Sequence, residues 1–352
     1  MTDPVWLSTD SKLEVKHLLV DAGVVDSNAE ISRLQPAGDG NMNVTLRVMF
    51  ESATAGPSTV IVKQSRPFVA KYDFIPAPID RIEHEAAFYQ FATVDNTIAA
   101  LLPNLLAWIP EQHVLVLEDL GSAADATSWY REPPAEDQFT PLLEPLVDWL
   151  QRLHSSSSQR MAAEGSSDRF RNLALRKLNH QHIFDLPFRP DPPLDLDAAC
   201  PGLTEASQRV RADLSLRETC LRLGKIYLGS GTSLLHGDFY PGSWLVLDAG
   251  PRVIDPEFCF AGPAEFDYGV MAAHLELCGW SQSVDRLADL TLLCTQSDVQ
   301  LDWELVRDFA AVEVLRRILG VAQLPLPDGL DVREQWIEKA TSRLLKQQTT
   351  QI

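Results

Sequence analysis

Asp238, Asp255 and Glu257 are the residues whose types and spacing could do chemistry. They fall in one stretch, Leu234 to Asp267, which reads LLHGDFYPGSWLVLDAGPRVIDPEFCFAGPAEFD. Ser243–Leu247 and Arg252–Ile254 are short apolar runs around Asp248-Ala249-Gly250-Pro251, a turn sequence, and together they predict a β-hairpin. A hairpin returns its ends to each other, so Asp238 before it and Asp255 after it, 17 residues apart, are expected at one site. Asp255 and Glu257 flank Pro256, and in extended backbone residues i and i+2 point to the same side. Such a pair suits a hard divalent cation, Mg²⁺, which takes carboxylate and phosphate oxygens. A third carboxylate, Asp238, then suits orienting an attacking hydroxyl and accepting its proton, as phosphoryl transfer requires. Acids near a turn ordinarily face solvent. These sit among Leu234, Leu235, Phe258 and Phe260, which sets them apart.

The elements that must position these groups follow a β-then-α order. Ile31–Gln35, the alternating Val44, Leu46, Val48 and Phe50, Thr59–Lys63 and Val114–Leu117 read as strands. Asp80 is expected to cap a helix running to about Phe91. After the polar stretch 121–141, helical patterns dominate. Leu142, Leu146, Leu150 and Leu153 mark one helix, with Pro145 expected in its first turn. Leu173–Phe184 and Ala206–Leu228 read as two more. The domain reading is a β-rich nucleotide-binding lobe over residues 1–120 and a helical lobe over residues 121–352.

Phosphate binding does not use a Walker A loop, because the chain has no GxxxxGK[ST]; Gly224-Lys225 is followed by isoleucine. The alternative is the small-residue turn Gly38-Asp39-Gly40-Asn41-Met42-Asn43 between two strands. Lys63 ends the strand VIVK and Glu85 lies in the next helix, a pairing that would aim an ammonium at phosphates. Glu118-Asp119-Leu120 ends an apolar strand that could offer backbone groups to adenine. The order of these pieces carries the reading, since each alone is common in ordinary structure.

Composition narrows the partners. A net charge of −19 argues against nucleic acid or anionic membrane as the main partner. Five scattered cysteines with no CxxC pair fit reduced thiols in a cytoplasm. No apolar run approaches the ~18–20 residues of a membrane span, and Met1–Asp10 lacks signal-peptide character. His180, His182 and His154 read as structural, with no third ligand evident for a metal.

With those residues in place the chain resembles the protein-kinase-like small-molecule kinases that include aminoglycoside and choline kinases, and within them the methylthioribose branch. The resemblance rests on GDGNMN at 38–43, VIVKQSRPF at 60–68, IDRIEHEA at 79–86 and VLEDL at 116–120. It continues through NLALRKLNHQHIFDLPF at 172–188, HGDFYPGS at 236–243, IDPEFCFAGPAEFDYG at 254–269 and LRRILGVAQ at 315–323. It implies an α+β, two-lobe protein-kinase-like fold with a small antiparallel-sheet N-lobe and a larger, mainly helical C-lobe. It also implies transfer of the ATP γ-phosphoryl to the anomeric hydroxyl of a 5-substituted ribose. Asp238 matches the substrate-contacting base, and Asp255 and Glu257 match metal ligands, with Ser243 a weaker addition. Gly38–Asn41, Asn43, Lys63 and Glu118–Leu120 match nucleotide contacts, and Arg316-Arg317 an arginine pair at the sugar.

Three departures stand out: Ile75-Pro76 replaces a Trp-Pro, Phe239-Tyr240 replaces a Leu-His, and the stretch from Gly269 to Arg316 is short. They leave the sugar open, with another 5-deoxypentose, an aminoglycoside or amino-alcohol acceptor, and an inactive nucleotide-binding module as the alternatives. The expected partner is a small sugar, and a homodimer is left open.

Overall fold

The computed structural model describes residues 4–38, 42–51, 56–294, 299–327 and 329–346, apart from the side chain of Tyr72. The chain divides into two compact units. One comprises Met1–Ala123 with Ile254–Phe258, the other Ala124–Val253 with Cys259–Ile352.

The first unit is built on a five-stranded antiparallel sheet. Its strands are β1 (Ile31–Pro36), β2 (Val44–Phe50), β3 (Thr59–Gln64), β4 (Leu105–Ile109) and β5 (Val114–Glu118), in spatial order β1-β2-β3-β5-β4. Period-2 alternation sorts side chains to its two faces. Leu46 and Val48 of β2, Val60 and Val62 of β3, and Val114 and Val116 of β5 pack with Val15 and Leu19 of the helix Lys12–Asp21. The opposite face carries Leu115, which packs against Ile82 and Ala86 of helix α1 (Arg81–Ala92). Lys63 is paired with Leu115 across the sheet and with Thr45 on its other side, so its parity sends it toward α1. The expected strands are all present and β4 is an addition to them. Asp80 makes no side-chain capping bond; its own backbone is already helical, at φ −72° and ψ −3°.

The second unit is mainly helical. Helix α2 spans Glu136–Glu164 and begins earlier than expected, so that Pro141 and Pro145 both lie inside it. An interior proline costs ~3 kcal/mol. Burial of Phe139, Leu143, Leu146, Val147, Trp149 and Leu150 along one face offsets it. The expected helix Ala206–Leu228 is two, Leu203–Ala212 and Leu214–Leu228. Between them Asp213 is extended, and its carboxylate accepts Leu216 N–H at 3.0 Å, an N-cap the sequence reading passed over. The helix expected over Leu173–Phe184 stops at His180 and continues as a wider π turn over Gln181–Asp185. His180 and His182 are half-buried there, not on an open helix surface.

The expected hairpin forms from β6 (Trp244–Leu247) and β7 (Gly250–Val253), with Trp244 opposite Val253 and Leu247 opposite Gly250. Gly250 takes φ +105°, which the tight connection through Asp248-Ala249 requires. Two further helices carry charged side chains of interest: α3 (Glu265–Leu277) and α4 (Trp303–Leu319), which pack along each other. Among the described residues no helix is long and apolar enough to cross a membrane.

Candidate active site

In each compact unit a cluster of charged side chains brings expected site residues together. In the first, the Lys63 ammonium lies between carboxylates: 2.9 and 2.7 Å from the two Glu85 oxygens, and bonded to Asp255 Oδ1. Lys63 and Glu85 are both buried. Burial works against the Lys63 charge, but Asp255, Glu85 and Glu257 outweigh it and hold its pKa well above the ordinary value. Glu85 is pushed up to about 7 by burial, against the opposing pull of Lys63.

Asp255 and Glu257 reach this cluster by a geometry the sequence reading did not anticipate. The backbone is not extended. Asp255 adopts the left-handed region at φ +68°, and Pro256–Phe258 form a turn of 3₁₀ helix. A left-handed non-glycine residue is uncommon and costs ~1–3 kcal/mol, and such residues gather at functional sites. Glu257 is buried and accepts Asn43 Nδ2 at 2.7 Å. Asn43 Oδ1 in turn accepts Arg81 Nε at 2.9 Å. Arg81 is fully buried and also donates to the carbonyls of Met42, Arg66 and Pro78 at 2.6–2.7 Å, tying the end of the small-residue turn to α1. Nothing local in the sequence marks Arg81 for this role.

Glu257 is pushed up to about 8, first by burial and further by the negative charge of Asp255 and Glu85, with Lys63 opposing. Carboxylate charge in excess of its cations is what a divalent ion neutralises, so these residues fit Mg²⁺. Among the described residues no group of three or more His, Cys, Asp or Glu side chains forms a metal cage. An ion would take the two carboxylates and leave other positions to phosphate oxygens and water, the habit of Mg²⁺.

Of the expected nucleotide residues, Gly38 has φ +80° at the entry of the turn, while Asp39, Gly40 and Asn41 lie outside the described residues. At the end of β5, Glu118 is used locally: its Oε2 accepts Asn104 N–H at 3.1 Å and Asn104 Nδ2 at 2.7 Å. Asp119 pairs with Arg47, at 2.8 Å to Nε and 3.0 Å to Nη2, and accepts Gly121 N–H at 3.0 Å. Leu120 follows, half-buried. The Glu118 N–H is also taken, by the Asn104 carbonyl at 2.9 Å, so the backbone after Glu118 is what the segment can offer a ligand.

In the second unit Asp238 sits on a loop held from behind by Asp267, in the first turn of α3. The Asp267 carboxylate accepts His236 N–H at 2.8 Å, Gly237 N–H at 2.9 Å and His154 Nε2 at 3.0 Å. Gly237 has φ +85°, so a glycine is required at that turn. Phe239 is buried and stacks on Trp149 at 5.5 Å. Ser243 Oγ donates to the Asp238 carbonyl at 2.9 Å, holding the next turn.

Arg317 Nη2 donates to Asp238 Oδ1 at 3.0 Å, and Arg316 Nη1 lies 3.9 Å from the same oxygen. Burial raises the Asp238 pKa, and the two arginines pull it back. Glu313, one turn before the arginines and not among the expected site residues, accepts both of them. Its spacing of three and four residues from the pair was a usable signal. His274 and Tyr130, bonded in series behind Glu313, had no local signal.

The profile of the phosphotransferase enzyme family matches residues 52–308. The chain belongs to that family. This agrees with the resemblance read from the sequence. Among curated relatives, the methylthioribose kinase of Yersinia pseudotuberculosis is 30% identical over 339 residues, covering 84% of this chain and 81% of that protein. That of Exiguobacterium sibiricum is 28% identical, covering 81% of this chain and 79% of the relative. The match to the Klebsiella pneumoniae enzyme, 29% identical, covers 72% of this chain and 63% of that one. Among solved structures, a choline kinase from Streptococcus pneumoniae superposes with a TM-score of 0.51 at 12% identity, covering 96% of this chain and 99% of that one. A spectinomycin phosphotransferase, in complex with ADP and spectinomycin, gives 0.51 at 13% identity, covering 94% and 97%. These two establish the shared small-molecule-kinase fold, α+β with an antiparallel-sheet unit and a mainly helical unit.

Proposed function

We propose that this phosphotransferase transfers the γ-phosphoryl of ATP to the 1-hydroxyl of 5-methylthioribose or a similar 5-deoxypentose. The observation that carries the reaction type is Asp238, a half-buried carboxylate oriented by Arg317 at 3.0 Å. The names and coverage of the methylthioribose kinases it matches support the sugar.

In this reading Asp238 accepts the proton of the acceptor hydroxyl as the new O–P bond forms. The bond between the γ-phosphorus and the β–γ bridging oxygen breaks, leaving ADP. Lys63, aimed by Glu85, meets the α- and β-phosphates, and Gly38–Asn41 with Asn43 cover them. The backbone of Glu118–Leu120 meets adenine. Asp255 and Glu257 would hold Mg²⁺, which supplies charge neutralisation at the phosphate oxygens. Ser243 stays with the Asp238 turn. Arg316 and Arg317 donate to the sugar hydroxyls. The partner is this small molecule.

The test is ADP release with a panel of methylthioribose, 5-deoxyribose, ribose and an aminoglycoside. Turnover with methylthioribose, or with 5-deoxyribose in its place, is expected. Turnover with the aminoglycoside alone would sink the sugar assignment. ATP binding with no turnover of any member would point to an inactive module.

A further inference from the structure

Adjacent residues of an α-helix point about 100° apart, so Arg316 and Arg317 converge on Asp238 only if something draws them together. Glu313 does this. Its Oε1 accepts Arg317 Nε at 2.6 Å and Arg316 Nη1 at 2.9 Å, and its Oε2 accepts Arg316 Nη1 at 3.0 Å. Behind it, His274 Nε2 lies 3.1 Å from Glu313 Oε1, and the Tyr130 hydroxyl bonds to His274 Nδ1. A carboxylate accepts, so His274 carries its hydrogen on Nε2, and Nδ1 accepts from Tyr130. Burial and the charge of Arg317 push the His274 pKa down to about 4, so it remains a neutral donor near pH 7. The Tyr240 ring closes the last side, 4.8 Å from the Arg317 guanidinium and 5.0 Å from the His274 ring. All these groups except Asp238 and Tyr240 are buried.

The charges also close. Two guanidiniums face two carboxylates, Glu313 and Asp238, so the quartet has no cationic surplus. Two arginines without Glu313 would instead be a ready anion site, since guanidinium is well matched to phosphate.

We propose that Glu313, oriented by His274 and Tyr130, is a positioning residue for acceptor recognition. It aims both guanidiniums at the Asp238 side and cancels one of their charges. The pair then meets a neutral polyol as a set of hydrogen-bond donors, not as an anion-binding site. This rests on the sugar-kinase reading for the identity of the acceptor, but the charge balance is testable without it.

The full-length chain carrying Glu313→Gln, His274→Phe or His274→Gln is compared with the natural sequence in two measurements. The first is KM for the sugar and for ATP. The second is calorimetric binding of inorganic phosphate without nucleotide. Glu313→Gln should raise the sugar KM by about tenfold or more, the scale of one lost charge-assisted hydrogen bond, with the ATP KM unmoved. It should also bind phosphate about tenfold tighter than the natural sequence. His274→Phe should move both readouts the same way by less, and His274→Gln, which keeps a donor at the Nε2 position, should restore them. An unmoved sugar KM, sugar and ATP KM rising together, or unchanged phosphate binding would overturn the proposal. If the natural sequence turns over no neutral sugar, the functional reading fails alone, and the phosphate titration still decides the role of Glu313. If Glu313→Gln does not fold, the His274 pair decides: equal behaviour of Phe and Gln overturns the proposal.

Discussion

Around Lys63, two cations (Lys63 and Arg81) face three carboxylates (Glu85, Asp255 and Glu257), whereas around Asp238 two arginines face two carboxylates. The two clusters use the same chemical groups and are balanced differently. In the first, burial lifts the carboxylates and neighbouring negative charge adds to it, Glu85 to about 7 and Glu257 to about 8. In the second, burial acts to raise Glu313 too, but two arginines in direct contact hold it far below the ordinary carboxylate range. A cluster short of cations suits a metal and a metal-bound polyphosphate. A closed cluster suits a neutral acceptor. In the proposed reaction the first cluster serves the nucleotide and the second the acceptor.

Asp238→Asn should lower turnover by about 10³-fold or more, as loss of a general base does, with ATP affinity nearly unchanged. Steady-state rates with nucleotide binding measured alongside check both halves. Glu257→Gln should act on the other cluster: the Mg²⁺ concentration for half-maximal rate should rise about tenfold or more, because a carboxylate ligand is lost. The sugar KM should hold. A Mg²⁺ titration of the rate at saturating sugar checks it.

The charge balance also predicts opposite pH windows for stability. His274 has a folded pKa of about 4 against an ordinary 6.5, so the unfolded chain binds the extra proton between those values. Stability therefore falls as pH drops from 6.5 to 4, by on the order of 3 kcal/mol from this group. His274→Gln should flatten that fall in urea denaturation series. Glu85 runs the other way. Its folded pKa of about 7 lies above the ordinary 4.5, so its contribution is complete below pH 4.5 and is lost as pH rises to 7. Glu85→Gln, with chelator present, should make that loss shallower, a smaller effect because Lys63 keeps Asp255 as a partner.

Much of the first cluster was legible in the sequence because its parts follow local rules. Strand parity sends Lys63 to the α1 face, and a carboxylate one turn into that helix is its natural partner. Asp255 and Glu257 were legible as a pair but not in their geometry. Nothing in Asp-Pro-Glu announces a left-handed aspartate, because that conformation is imposed by the groups it meets. Arg81 stood in plain view, yet its role depends on carbonyls from three separated segments. The Asp238 cluster was half legible. The HGD segment stood out, the arginine pair was named only through the family resemblance, and Glu313 was missed although its helical spacing from the pair carried a signal. His274, Tyr130 and Asp267 did not, since they reach the cluster through packing that sequence distance does not encode. The prolines of α2 misled for a related reason: local propensity gives way to a long buried face.

The most direct test of the division between clusters is calorimetric titration of Asp238→Asn and Glu257→Gln, each with Mg²⁺-ATP and with the sugar. A crossed result is expected, with Asp238→Asn binding Mg²⁺-ATP normally and the sugar poorly, and Glu257→Gln the reverse. Loss of Mg²⁺-ATP binding in Asp238→Asn, or of sugar binding in Glu257→Gln, would contradict it.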